Sequence, residues 1–334
     1  MVRRIVYGLM VISLLAAGLL AADVARFFTQ PLDNFEPQHI EVAPGTSFSA
    51  LVHQLRRKQI VSRARDERYL SLYARLSGKA TSVKSGEYLV PARQKPAQLV
   101  GLLVSGKIRQ HKLTLVEGWR FSQIMQTVNQ DSALKHTLQD KNDAQIMAAL
   151  GHPERKPEGL FMPDTYMFPR GMTDVAFLKR AYKAMQSFLD QAWTNRADNI
   201  AIDSPYQALI LASIIEKETA APSERPRIAG VFTRRLRQGM RLQTDPSVIY
   251  GIDDYDGNIH KSDLEKDTPY NTYTRAGLPP TPIASPSRAS IRAALHPKPG
   301  SALYFVSRGD GTHVFSDTLA EQNRAVRKYQ KGGS

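Results

Sequence analysis

The chain has no cysteine in its 334 residues. That excludes disulfides, iron–sulfur and cysteine–zinc sites, a thiol nucleophile and a lipid-modified N-terminal cysteine. Metal motifs are also missing, since the eight histidines never fall in HExxH or HxxxH spacing. No GxSxG elbow, Walker A loop or GxGxxG turn is present, which removes the commonest hydrolase, nucleotide and dinucleotide sites. Acidic residues are in deficit, with 31 Asp and Glu against 45 Lys and Arg. No cofactor and no metal are expected.

Hydrophobic residues make up 42% of the chain and charged ones 23%, a globular balance with length for two domains and an appendage. Arg3 and Arg4 precede an uncharged, mostly apolar run from Ile5 to Ala22, which Asp23 closes. The run is near the minimum for a membrane span. A cleaved signal peptide is the competing reading, but a cut after Ala21 or Ala22 would put a leucine at the outer small-residue position. The run is therefore read as an uncleaved anchor, and the arginines on its short side leave the rest of the chain outside the cytoplasm.

Ten of the fourteen net positive charges lie in residues 56–109. Behind an export anchor such a block points to phospholipid head groups and cell-wall polymer, not to nucleic acid. A solvated basic face is the plainer alternative.

Residues 23–39 read as a tether. Three strand–turn–helix units follow: Ile40–Val42 with Phe48, Leu51, Val52 and Leu55; Tyr88–Val90 with Leu99, Val100, Leu102 and Leu103; and Leu113–Val116 with Phe121, Ile124, Met125 and Val128. Residues 129–160 are polar and irregular, and read as a connector or a mobile insertion. An amphipathic helix starts near Asp174, with Leu178, Met185 and Leu189 on its apolar stripe. Ser204-Pro205-Tyr206-Gln207 predicts a capping box with proline at the first helical position, opening a helix through Glu218. A helix over Ile228–Leu236, an Asp245-Pro246 cap on a short turn to Tyr250, a helix from Ser285-Pro286, a hairpin at residues 303–315 and a terminal helix from Thr318 complete the chain.

Chemistry concentrates in Ile214-Ile215-Glu216-Lys217-Glu218-Thr219. Two carboxylates two apart on a helix point to nearly opposite sides and cannot act as a pair. Glu218 follows Ile215, Ile214 and Leu211 and ends their apolar stripe, where partial desolvation keeps an acid protonated. Glu216 follows Ala212 and Ser213 and is read as bracing Lys or Arg on the surface. Most helix-end glutamates are solvated and inert, so this pattern alone does not decide. Downstream, Arg241, Gln243, Thr244, Asp245 and Tyr250, and then Asn271, Thr272 and Tyr273, form polar, aromatic loops suited to sugar recognition. Asp245 serves equally as a helix cap.

The stretches Gly159-Leu160-Phe161-Met162-Pro163-Asp164-Thr165-Tyr166, Ala212 to Thr219, Met240 to Gly251, Tyr270-Asn271-Thr272-Tyr273, Gly277-Leu278-Pro279-Pro280 and His296-Pro297 together resemble the YceG-like (MltG) family of endolytic murein transglycosylases. The resemblance spans essentially the whole chain. It implies an α+β fold with an N-terminal transmembrane helix (5–22) after a cytoplasmic N-terminus (1–4), a LysM-like α/β module (40–110) and a mixed α+β catalytic domain (111–334). It implies Glu218 as catalytic acid and a non-hydrolytic cut of the MurNAc-β-1,4-GlcNAc bond that leaves 1,6-anhydroMurNAc ends. It also implies a bacterial inner-membrane location, nascent peptidoglycan strands as substrate and peptidoglycan synthases (penicillin-binding proteins) as partners. Phe161-Met162 stands where relatives often have tryptophan, a difference that bears on sugar stacking. Two rivals stay open: a glycosidase using Glu218, Asp245 and water, and a non-catalytic wall-binding scaffold.

Overall fold

The structure is a computed structural model that describes residues 2–198 and 200–330. It is mixed α+β, and its described strands form three two-stranded sheets. The chain divides into two compact units. The first runs to His111 and takes in Met167–Gly171; the second holds Lys112–Tyr166 and the chain from Met172 onward.

The first unit opens with helix α1 (Val2–Thr29). Its span from Arg3 to Thr29 is long and apolar enough to cross a membrane, and its most apolar 18 residues have a mean hydropathy of 2.4. Asp23 does not end this helix, as expected from its charge, because its carboxylate is occupied. It accepts from the Tyr69 hydroxyl at 2.9 Å and pairs with Arg65 at 3.0 Å. Phe27 and Phe28 then pack on Tyr69 and Tyr73. The supposed tether is thus helical up to Thr29.

Strand β1 (Gln38–Val42), helices α2 (Phe48–Arg57) and α3 (Ala64–Leu76), strand β2 (Gly86–Val90) and helix α4 (Pro96–Ser105) follow. The strands pair antiparallel with Ile40 opposite Tyr88. Ser47 caps α2 by accepting from the Ala50 amide. Ile40, Leu51, Leu55, Tyr88, Leu99 and Leu103 form the core. Tyr88 can be fully buried because its hydroxyl donates to the carbonyls of Lys84 and Leu103. Helix α3 was not foreseen: arginines and tyrosines interrupt its pattern, and only Leu70, Ala74 and the paired acids Asp66 and Glu67 are buried.

Strands β3 (Gln110–Thr114) and β4 (Thr165–Pro169) each run across the division, and the second unit holds α5 (Phe121–Gln130), α6 (Asp143–Leu150) and α7 (Asp174–Thr194). Residues 129–160 are therefore no loose insertion. Asn142 caps α6, whose Ile146, Met147 and Leu150 are buried, and α6 packs on α7. Asp174, fully buried, accepts from the amides of Thr137 and Leu138 and so fastens the same segment. Helices α8 (Pro205–Glu218), α9 (Arg225–Arg237), α10 (Asp245–Tyr250), α11 (Lys261–Glu265) and α12 (Arg288–Leu295) come next. The hairpin of β5 (Tyr304–Ser307) and β6 (His313–Ser316) and helix α13 (Leu319–Tyr329) close the described chain.

Helix α8 is the centre of this unit, packed against α7, α9, α10 and α12. Residues Ala208 to Ile215 are buried without a break, so the helix has an apolar surround and not one stripe. Ser204 caps it as expected, but the returning Gln207 amide oxygen accepts from Asp203 N at 2.8 Å instead of closing the box on Ser204.

Candidate active site

Helix α8 ends at Glu218 because Thr219 turns extended. The last turn of a helix is the negative end of its dipole, a position that disfavours a carboxylate. Glu218 is half-buried and lines a cavity of about 320 Å³. Its Oε1 accepts a hydrogen bond from the Thr244 hydroxyl. Burial pushes its carboxyl up to about 7, with the charge of Asp245 adding to the effect; the Thr244 bond and the Arg235 guanidinium oppose it. An acid so placed holds comparable protonated and ionised populations near neutrality, so it can give up a proton and take one back.

Thr244 stands at the N-cap position of α10 but makes no cap bond; its hydroxyl goes to Glu218. Asp245, expected as the cap, is instead the first helical residue and accepts from the Tyr273 hydroxyl at 2.6 Å. The loop that presents both is fixed from below. Gln243, at φ 52, donates its amide to Thr272 O, and Thr244 N donates to Thr272 Oγ1 at 3.0 Å. Thr272 is buried, and so is Asn271, whose side chain donates to the carbonyls of Asp263, Leu264 and Lys266 and accepts from Tyr273 N.

Of the candidate sugar contacts, Gln243, Asp245 and Tyr273 line the Glu218 cavity. Thr244 touches Glu218 itself. Asn271 and Thr272 hold the loop from within. Arg241 lies outside the cavity lining and donates to Tyr273 O at 2.9 Å. Tyr250 lines a different cavity. Three lining residues carry no signal in the sequence: Arg235, Phe305 and His313. Arg235 is buried, donating to Leu303 O at 2.6 Å and Leu242 O at 2.9 Å.

Glu216 does brace an arginine, but not at the surface. Its side chain is 6% exposed and pairs with Arg225 at 3.3 Å. Its other oxygen accepts from both the amide and the hydroxyl of Ser287, the N-cap of α12. The Ala212–Ser213 face that Glu216 extends is buried too, Ser213 accepting from Ile283 N. The two glutamates therefore divide as their spacing requires, one into a cavity and one into the packing.

A family model, the YceG-like family, matches residues 40–328. The chain belongs to the YceG-like family. A protein of Bacillus subtilis (strain 168) named endolytic murein transglycosylase is 30% identical over 312 residues, 87% of this chain and 84% of that protein. One of the same name from Streptococcus pneumoniae D39 is 27% identical over 295 residues. The alignment takes in 78% of this chain but 53% of that longer protein, about half its length. The crystal structure of a yceG-like protein from Listeria monocytogenes is similar at a TM-score of 0.54 and 29% identity, covering 86% of this chain and 98% of that one.

This YceG-like chain holds a second cavity, of about 470 Å³, between Phe121, Glu158, Tyr250 and Tyr270. Glu158 is 6% exposed and accepts from Phe121 N at 3.1 Å and from the Tyr250 hydroxyl at 3.1 Å. Burial pushes its carboxyl up to about 7 against those bonds. Arg120 lies over the Tyr250 ring and donates to Ile249 O at 3.1 Å, tying down the far end of α10. Phe161, expected to bear on sugar stacking, is fully buried against Phe121 and is not among the lining residues of either cavity.

Proposed function

We propose that this YceG-like protein is an endolytic lytic transglycosylase that cuts peptidoglycan strands, with Glu218 as its single acid and base. The observation that carries the reading is one carboxyl, held at about 7, in the lining of a polar cavity. Oε1 accepts from Thr244, so Oε2 is the oxygen left to carry and deliver the proton. Protonated Glu218 donates to the glycosidic oxygen between N-acetylmuramic acid and N-acetylglucosamine as the ring becomes oxocarbenium-like. The carboxylate then takes the proton of the muramoyl 6-hydroxyl, which closes the 1,6-anhydro ring. Arg235 and the Thr244 hydroxyl favour the anion between those two steps. One carboxylate suffices because the nucleophile belongs to the substrate.

Asp245 lines the same cavity, and this favours a second reading, hydrolysis with Asp245 as the partner carboxylate. Its Oδ1 accepts from Tyr273, which leaves Oδ2 for that role. Digestion of purified glycan strands in ¹⁸O-water separates the two. Unlabelled products ending in 1,6-anhydromuramic acid are expected, whereas labelled reducing ends transfer the case to Asp245. Glu218→Gln should lower the rate by on the order of 10²–10⁴, the worth of a positioned acid.

The β1–α2–α3–β2 order, with its strands antiparallel, supports reading residues 40–110 as a LysM-like module and 111–334 as the catalytic domain. Exposed Arg57, Arg63, Arg68 and Arg75 give that module a surface for anionic wall polymer or head groups. The apolar helix anchors the protein in the inner membrane, with Arg3 and Arg4 on the cytoplasmic side. Anchored there, the enzyme meets strands as peptidoglycan synthases release them and terminates their growth.

A further inference from the structure

The Glu218 cavity contains a second built element, on β6. His313 has its side chain 11% exposed, and its Nδ1 lies 2.7 Å from Glu224 Oε2. The other oxygen of Glu224 accepts the backbone amide of His313 at 3.0 Å. Glu224 is itself buried and stands at the N-cap position of α9, six residues beyond Glu218. Phe305 meets the ring edge to face at 5.4 Å. Three contacts thus fix a polar ring beside the cavity. Here, among the described residues, Nε2 has no hydrogen-bond partner, although His313 lines the same cavity as Glu218.

We propose that His313 is a substrate-binding residue. Its Nε2 hydrogen-bonds a hydroxyl of the sugar ring seated against Glu218, and Glu224 sets the tautomer that allows it. A carboxylate can only accept, so Nδ1 carries a ring proton, and in the neutral imidazole Nε2 presents a lone pair. A lone pair at a fixed position suits a neutral hydroxyl donor. The Glu224–His313 pair orients a ring as carboxylates orient histidine in acyl-transfer sites, but the duty here is recognition, since proton transfer belongs to Glu218. The short segment from Thr219 to Glu224 joins the two functions, so one turn of chain carries both the acid and the orienter of the binding ring.

The inference rests on the transglycosylase reading and is tested apart from it. His313→Asn keeps an amide N–H near the place of Nδ1, so Glu224 retains a donor, while Nε2 is deleted. His313→Gln restores a polar atom near the place of Nε2. In the full chain carrying Glu218→Gln, which does not cut, His313→Asn should weaken the dissociation constant for uncut, peptide-free glycan strands about tenfold, the loss of one well-placed hydrogen bond. In the active enzyme it should raise KM by a similar factor with kcat within about threefold, and His313→Gln should recover part of the loss. A Kd and KM within about twofold of the parent, in a His313→Asn protein that melts like the parent, would overturn the proposal. So would a His313→Gln variant as impaired as His313→Asn. Failure of the wild type to cut strands at all sinks the catalytic reading instead.

Discussion

Removing the Thr244 hydroxyl should move the pH dependence of cutting in a direction fixed by the site. The hydroxyl donates to Glu218 Oε1 and so favours the carboxylate, pulling against burial and Asp245. Thr244→Val deletes the donor and keeps the shape, while the backbone of residue 244 stays fastened to Thr272. A hydrogen bond to a charged acceptor contributes about 1.5–3 kcal/mol. Glu218 is only half-buried, so the lower end applies, which is about one pKa unit. With Glu218 at about 7 in the parent, the alkaline limb of kcat/KM should fall near neutrality and shift upward by about one unit in Thr244→Val. The plateau rate should drop as well, because the new carboxylate loses a stabilising donor. Initial rates of strand cutting, followed by chromatography of reduced products from about pH 5 to about pH 9, give the profile. Thr244→Ser, which keeps the hydroxyl, is the control. A limb that stays in place or moves down in Thr244→Val would refute the assignment of Glu218 as the titrating acid.

Stability should respond to pH through Glu158 as well. Its folded-state carboxyl, at about 7, lies above the ordinary 4.5, so its contribution is present below about 4.5 and lost as pH rises through about 7. Glu158→Gln should therefore raise stability at about pH 8 by on the order of 1–3 kcal/mol, read as a higher melting temperature, and change little at about pH 4. Gly159→Ala should destabilise by on the order of 2 kcal/mol or more in denaturant unfolding, because the position sits at φ +76 and an added Cβ would stand 2.4 Å from Pro282 Cβ. Glu216→Ala should cost about 3–5 kcal/mol, since it strands the partly buried Arg225 and removes the acceptor of Ser287, so its defect should appear in melting curves and soluble yield.

Much of this fold is legible because its signals are local. Ser47, Thr318 and Ser204 announce helix starts, and the three strand–turn–helix units appear where alternation gives way to helical spacing. What is illegible depends on partners distant in sequence. Asp23 reads as a helix end until Tyr69 and Arg65 occupy it. Residues 129–160 read as loose because the groups that hold them, Asp174 and the α7 surface, lie later in the chain. Tyr250 and Asp245 share one short helix, yet its two ends serve different cavities, a separation that one sequence stretch conceals.

The same contrast explains why Glu218 could be singled out and His313 could not. Glu218 ends a run of buried apolar residues, so its desolvation is written into the residues before it. The importance of His313 comes from Glu224, 89 positions away, and from sharing a cavity with Glu218. Burial along α8 also decides the chemistry. A helix enclosed on every side exposes its polar groups only at its end, and two glutamates there at opposite azimuths must meet different surroundings. Glu216 meets two donors and a guanidinium, all protein, and becomes part of the packing. Glu218 meets one hydroxyl and an open cavity, so the proton it holds has somewhere to go.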